Sequence, residues 1–457
     1  MMVRALNLLL CGAAASSGLF VGGAAAFSVS PLSRGGGRAA GPHAATSAPS
    51  AALPADRRRA SAVVGPLSST PEDVIEEMDP ERRSNLFQTL LRDLQVEGTP
   101  VLGCDADQVH TFCAALWTTM AEVSEGDDEN KACIVMENIP LDALKAFVQD
   151  FTVLKGQPRL MAHLKELSRI SVSLVGRGVG PALVIEVAAR TEDEKAESDA
   201  RKAAEAALDE AKCTSALKQF VDRVVVGYEA CPYTKTADVA PVGLEKRGIN
   251  PGAVAYRYSG SSDACAALGT FWNCVCELLS YSEEDMSTAV LSLPGIGPGN
   301  GDDARDRFAA VVEIVGRNLC LFRGDAVFGL VHFHPAYDRS EIMPEDKPAY
   351  GHLPPRSWLR PMMRMNGNVD EAESLTDGDL ELSDYQRRAP HTAINILRTS
   401  QINAAAGAKS IVDLDLGDGR VEKASGITLY SRNAIRLAKQ GRETLQADVE
   451  ADMAMQR

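Results

Sequence analysis

The sequence predicts a mixed α/β and α+β protein built from an N-terminal α+β module and a C-terminal βαβ-type module with a largely parallel sheet. Three observations carry this. Apolar residues recur at helical spacing in some segments and in short unbroken runs in others. Beyond Leu217 the two patterns alternate, as they do where helices cross over between parallel strands. The chain is 45% apolar and 24% charged, the balance of a globular protein with buried cores.

In chain order, Asp79-Pro80-Glu81 is a helix start, with an acid to cap, Pro in the first turn and Glu at the positive end of the dipole. Leu86, Phe87, Leu90, Leu91 and Leu94 then fall on one face. A second helix is expected over 105–123, with Val109, Phe112, Leu116 and Met120 inward, then a strand over 132–136 and helices over 141–154 and 158–167. Strands over 170–174 and 182–188 flank the glycine-rich run 176–181. No helix carrying Lys-Ser/Thr follows that run, so it reads as a hairpin turn and not a phosphate loop. These elements make a module over 72–190.

Residues 191–216 form a charged helical spacer. Thr191–Lys212 holds eight acids, four basic residues and many alanines, which suits a solvated helix with i to i+4 pairs. The second module is expected over 217–442. Its elements are a continuing helix through Phe220 and Val225, strand 253–259, helix 263–279, strand 288–293, helix 305–315 and strand 328–333. The polar, Pro-containing stretch 339–386 reads as a long insertion or flexible loop. A short strand over 411–416, C-terminal helices and a tail over 443–457 complete the chain.

Ahead of the modules, residues 1–26 have the parts of a secretory signal: Arg4, an apolar run, and small residues at Ala24–Ala26. Residues 27–71 are rich in Ser, Ala, Gly, Pro and Arg, a transit-peptide composition. The junction Ala-Ala-Ala-Phe-Ser at 24–28 resembles the two-part plastid-targeting leaders of algae with secondary plastids, which implies delivery to a plastid. Simple secretion is the alternative. The leader is too short and too Gly/Ala-rich for a membrane span, and no other stretch reaches the apolar length of one.

The net charge of −15 understates the acidity of the body. Residues 1–71 hold six Arg and one acid, which leaves 41 basic against 61 acidic residues beyond them, about −20. Such a surface repels nucleic acid and anionic lipid, so neither is an expected partner. Nine cysteines follow Cys11, an odd number with no Cys-x-x-Cys pair, which favours buried thiols over a disulfide framework or zinc ribbon.

Four stretches of the second module carry a resemblance: Phe220–Lys235 with Cys231-Pro232-Tyr233, Val331–Tyr337 with His334-Pro335-Ala336-Tyr337, Arg388–Arg398, and Tyr430–Ile435 with Arg432-Asn433. In this order they resemble the motifs of domain-of-unknown-function family 1415. The resemblance implies Cys231, His334, Tyr337, Arg388, Arg398 and Asn433 as matching polar positions, and names no reaction, substrate or cofactor. Two positions depart from the pattern: Ala336 stands where the family has Asp, and Asn395 where it has His. These departures leave open whether the family's chemistry persists here.

Read by themselves, the same residues suggest specific chemistry. Cys231 follows a helix and precedes Pro232, so it sits in a loop, with a reactive thiol and a buried structural one as its two readings. His334 and Tyr337 end a strand, where sites gather in α/β sheets. An enzyme would use Cys231 as thiol, His334 as acid/base and Tyr337 beside them, with Arg388, Arg398 and Asn433 holding an anionic small molecule. His332 and His334, at i and i+2 of a strand, share a face and are candidate metal ligands. A non-catalytic assembly or interaction factor is the competing class. The enzyme reading requires Cys231, His334, Arg388 and Asn433 to converge on one pocket.

Overall fold

The computed structural model describes residues 101–105, 109–137, 141–175, 182–322, 327–343, 349–406 and 411–456. The leader, the helix expected from Asp79 and the 176–181 turn lie outside the described residues.

Two sheets repeat one connectivity. In the first, β1 (Val101–Asp105) leads through α1 (Val109–Ser124) to the parallel β2 (Asn130–Glu137). Helices α2 (Leu141–Lys155) and α3 (Pro158–His163) then lead to β3 (Ile170–Val175), and β4 (Ala182–Val187) inserts antiparallel between β2 and β3, giving the order β1-β2-β4-β3. After α4 (Glu192–Glu205), α5 (Glu210–Phe220) and the short β5 (Val239–Ala240), the second sheet follows suit. Strand β6 (Gly252–Tyr258), helix α6 (Ala264–Ser280) and the parallel β7 (Thr288–Ser292) are succeeded by α7 (Asp302–Phe322) and β8 (Phe328–Phe333). Strand β9 (Ala393–Arg398) then enters antiparallel between β7 and β8, for the order β5-β6-β7-β9-β8. The two halves differ mainly in the length of the link to the inserted strand, residues 176–181 in the first and 334–392 in the second.

The first crossover helices of the two halves lie against each other. Gly269 of α6 lets α1 approach so closely that a Cβ there would stand 3.1 Å from the backbone N and Oγ1 of Thr118. One continuous apolar core joins Trp117, Phe147 and Phe151 on one side to Phe271, Trp272 and Phe328 on the other. Burying such rings stabilises by about 2–3 kcal/mol each relative to exposure.

Local sequence accounts for where the helices begin. Thr191 and Glu194 form a capping box at α4, Asp209 caps α5 through the Lys212 N–H at 3.0 Å, and Asp263 caps α6 through the Ala266 N–H at 3.0 Å. Because Asp209 starts a new helix, the expected single spacer helix is two.

Several expectations are corrected. The second sheet is mixed, not largely parallel: of its four pairings only β6 with β7 is parallel. The strand responsible, β9, buries Ile394 and Ile396 on one face and Ala393 and Leu397 on the other, with Asn395 interrupting the apolar run that marks a central strand. The described residues of stretch 339–386 form a packed wall and not a flexible loop. Trp358, Met362, Met363, Leu380 and Tyr385 are buried in its short helices. Fully buried Arg339 donates to Leu353 O at 2.7 Å and Met343 O at 3.1 Å, while Asp384 accepts from the Arg339 N–H and from Arg356. The expected tail over 443–457 is instead mostly helical. Helices α8 (Ile427–Gln440) and α9 (Arg442–Ala454) close the chain, with Leu445 and Val449 buried.

Candidate functional site

Side chains alternate across a strand, so each face of the second sheet has its own set. One face meets the helix layer. The other forms the floor of a hollow of about 930 Å³, its open mouth included. Val254 and Tyr256 of β6, Thr288 and Val290 of β7, Asn395 and Leu397 of β9, and Val331 and Phe333 of β8 make the floor. The roof is the second half of α5, with Leu217 and Phe220, then a π-helical turn (Val221–Gly227) and the loop through Pro241. Ion pairs fasten this roof: Arg223 to Asp448 at 2.8 Å and to Asp452, and Glu229 to Arg436 at 2.5 Å.

The walls are chiefly apolar, and among the described lining residues Arg387 alone is charged. Among the described residues no carboxylate lines the hollow, in a protein whose net charge is −15. The Arg387 guanidinium lies 5.5 Å from the centre of the Phe333 ring, a cation–π contact that holds the charge at one end of the floor. Lower on the floor, Thr288 Oγ1 is 2.6 Å from Asn395 Oδ1 and 2.7 Å from Ile396 O. Gln401 donates to Ser287 O at 3.0 Å, and the Tyr256 hydroxyl to Ala237 O at 2.8 Å.

Of the residues singled out from sequence, Cys231 lines this hollow and is half-buried. Burial pushes its thiol above the ordinary range. Hydrogen bonds from the Thr234 hydroxyl and the backbone N–H groups of Tyr233 and Thr234, with Lys235 nearby, only partly offset that. Asn433 stands one step behind the wall: its amide donates to Ala230 O at 2.9 Å and to Gln386 Oε1 at 3.0 Å, tying together two segments of the lining.

The others lie elsewhere, and the expected convergence does not occur. His334 is buried against Phe308 of α7 with ring centres 5.0 Å apart. Its Nδ1 accepts the Ala336 N–H at 3.0 Å, so Nε2 carries the proton and donates to Gly297 O at 2.9 Å. Burial lowers its pKa to about 4. Both nitrogens are thus committed, which removes His334 as a metal donor in this arrangement. His332 also turns to the helix side, and burial holds its pKa near about 3. Its ring centre is 4.8 Å from that of His352. Tyr337 is fully buried and pushed up to about 12 by burial; its hydroxyl accepts the Leu353 N–H and shares a hydrogen bond with His352 Nδ1 at 3.2 Å. Arg388 donates to Tyr337 O at 3.1 Å and stacks on Tyr385. Arg398 caps the C-terminal end of α6, donating to the carbonyls of Leu278 and Tyr281. Among the described residues no group of three or more His, Cys, Asp or Glu is placed to hold a metal ion.

Sequence reasoning passed over three residues of the hollow. Thr288 and Arg387 were not singled out, and Asn395 drew notice only as a departure from a motif. The alternation of β9 could have flagged an amide on a buried strand. It also passed over a buried relay. The Ser292 hydroxyl lies 2.6 Å from His391 Nε2, and His391 Nδ1 donates to Gln456 Oε1 at 3.0 Å, with Gln456 oriented by its own bond to Pro390 O at 2.7 Å. That is the geometry of an activated serine. Ser292 is 1% exposed and His391 4%, however, so the relay is sealed from substrate and ties residue 456 to the sheet.

No curated protein and no solved structure matches the chain. Residues 212–366 match a family model, and this span contains the Cys231 and His334 motifs, while the Arg388–Arg398 and Tyr430–Ile435 stretches lie beyond it. Over residues 212–366, about a third of the chain, it is similar to the family described as Protein of unknown function (DUF1415).

Proposed function

We propose that the second half of the chain binds a small, mostly apolar molecule with one anionic group in the hollow between the second sheet and its α5 roof. The observation that carries this reading is the lining: apolar on nearly every side, with Arg387 as the charged member of the described lining residues. An apolar body gains by leaving water at about 25 cal/mol per Å², and a carboxylate paired with a buried guanidinium forms a charge-assisted bond. Cys231 serves in this reading as part of the wall. Its raised pKa keeps it a thiol at neutral pH, and His334 on the other face supplies no base.

The test is displacement of a fluorescent apolar probe from the purified protein by dodecanoate and by dodecanol. The reading expects dodecanoate to win roughly tenfold or more, and Arg387→Gln to erase that advantage. Equal displacement by the two, or none by either, would refute it.

We further propose that residues 1–71 deliver the protein to a plastid, on the strength of the Ala-Phe junction and the acid-poor composition that follows. A fluorescent protein fused behind these residues should collect in the plastid of an alga with a secondary plastid; accumulation only in the medium would contradict this.

A further inference from the structure

We infer that the C-terminal helix α9 is a strap that holds the roof down over the hollow, and that its hold on Arg223 and Tyr228 sets how fast a ligand enters and leaves. This rests on the reading of the hollow as an anion-binding pocket and adds the control of access to it. Arg387 is 3% exposed, and Phe333, the ring it sits over, is buried. A carboxylate therefore reaches the guanidinium only when part of the enclosure moves. The floor is a sheet whose strands are hydrogen-bonded to one another, the kind of element that opens last. The roof is a single layer. From Val221 to Gly227 it runs as a π-helical turn, and Glu229 takes the left-handed φ of 50°, both uncommon conformations for ordinary residues. Leu217, Phe220, Val221 and Val225 on its inner side border the hollow, so part of that face has open space where a core helix has packing atoms.

The outer side of the roof is held by α9. Asp448 and Asp452, one turn apart on that helix, both receive Arg223: the Asp448 carboxylate at 2.8 Å, its backbone O at 3.3 Å, and the buried Asp452 carboxylate. The Tyr228 hydroxyl donates to Asp448 at 2.6 Å. The same helix holds the wall that ends in Arg387. Its Leu445 and Val449 pack with Leu382 and Tyr385, and the Tyr385 hydroxyl donates to Gln446 Oε1 at 2.9 Å. Helix α9 thus ties the roof to the anion-binding end of the hollow, and its charge-assisted bonds to Arg223 and Tyr228 are what the roof must break to lift. Asp452 still pairs Arg223 when Asp448 is altered, so the tie can be weakened without stranding the guanidinium.

The experiment follows the fluorescent apolar probe by stopped flow in the full chain, entry on mixing and exit on chasing with excess dodecanoate. Asp448→Asn and Tyr228→Phe should each speed entry and exit together by roughly threefold to tenfold, the span of one hydrogen bond, with the probe's Kd within about twofold of wild type. Arg442→Gln, which removes the exposed pair of α9 with Glu381, should change neither rate. Damage to the pocket itself would instead speed exit alone and weaken binding in proportion. Unaltered rates, faster exit alone, or equal acceleration in Arg442→Gln would overturn the inference and leave the pocket standing. If the wild type takes up neither the probe nor dodecanoate, the pocket reading itself fails and this inference with it.

Discussion

Cys231 and His334 lie on opposite faces of one sheet. Cys231 borders the hollow beside Val331 and Phe333, while His334 follows their strand and turns toward Phe308 in the helix layer. The thickness of the sheet separates thiol from imidazole, so the two do not form a nucleophile and its base.

Alkylation of Cys231 follows from that separation. With burial raising its pKa, the thiol should react with iodoacetamide at pH 7 more slowly than a free cysteine, and dodecanoate should slow it further. His334→Ala should leave the rate per folded molecule unchanged. Peptide mass spectrometry over time measures this; a rate above that of free cysteine, or one that collapses in His334→Ala, would restore the catalytic pair.

Stability should fall on mild acidification. Burial lowers the pKa of His332 to about 3, of His334 and His391 to about 4, and of His352 well below its ordinary value. The folded state thus favours neutral imidazoles. Their contribution is complete above about pH 6.5 and is lost as pH drops toward 4, at about 1.4 kcal/mol per pH unit for each ring. Asp384 and Asp452, whose carboxyls burial raises, act in the opposite direction. Urea midpoints at pH 7, 5.5 and 4.5 should decline steeply, and His391→Gln should flatten the decline. A midpoint unchanged down to pH 4.5 would contradict the account.

The Ser292–His391–Gln456 relay should prove structural. A phosphonofluoridate should leave Ser292 unlabelled in the folded protein, and His391→Ala should cost about 2–4 kcal/mol by leaving the Ser292 hydroxyl and Gln456 carbonyl without their partner. Intact-mass analysis decides: a label on Ser292 lost in His391→Ala would make it a nucleophile after all.

Gly269 sets the approach of the two halves. Gly269→Leu places a side chain where even a Cβ is 3.1 Å from Thr118, and should destabilise by about 1–3 kcal/mol. Thermal unfolding of the variant measures this; an unaltered midpoint would mean that α1 and α6 are not held at that distance.

Much of the fold was legible because its signals are local. The crossover helices announce themselves by apolar spacing and by caps such as Asp263, and β7 and β8 by short apolar runs. Strand β9 was hidden because Asn395 breaks its run, and with it went the antiparallel pairing that defines the sheet. The 339–386 wall was hidden because its buried apolar residues are interspersed with buried charges: Arg339 and Asp384 find partners only in three dimensions. The site was half legible. Cys231 and Asn433 stood out as residue types, but which face of the sheet a histidine occupies depends on what packs there. His332 and Val331 differ by one position and by the whole thickness of the sheet.

The most direct measurement is a crystal structure with 12-bromododecanoate and the position of its bromine by anomalous scattering. The account predicts bromine inside the hollow, among side chains such as Leu217, Val290 and Leu397, with the carboxylate at Arg387. Bromine only outside the hollow, or a hollow left empty at saturating acid, would contradict it.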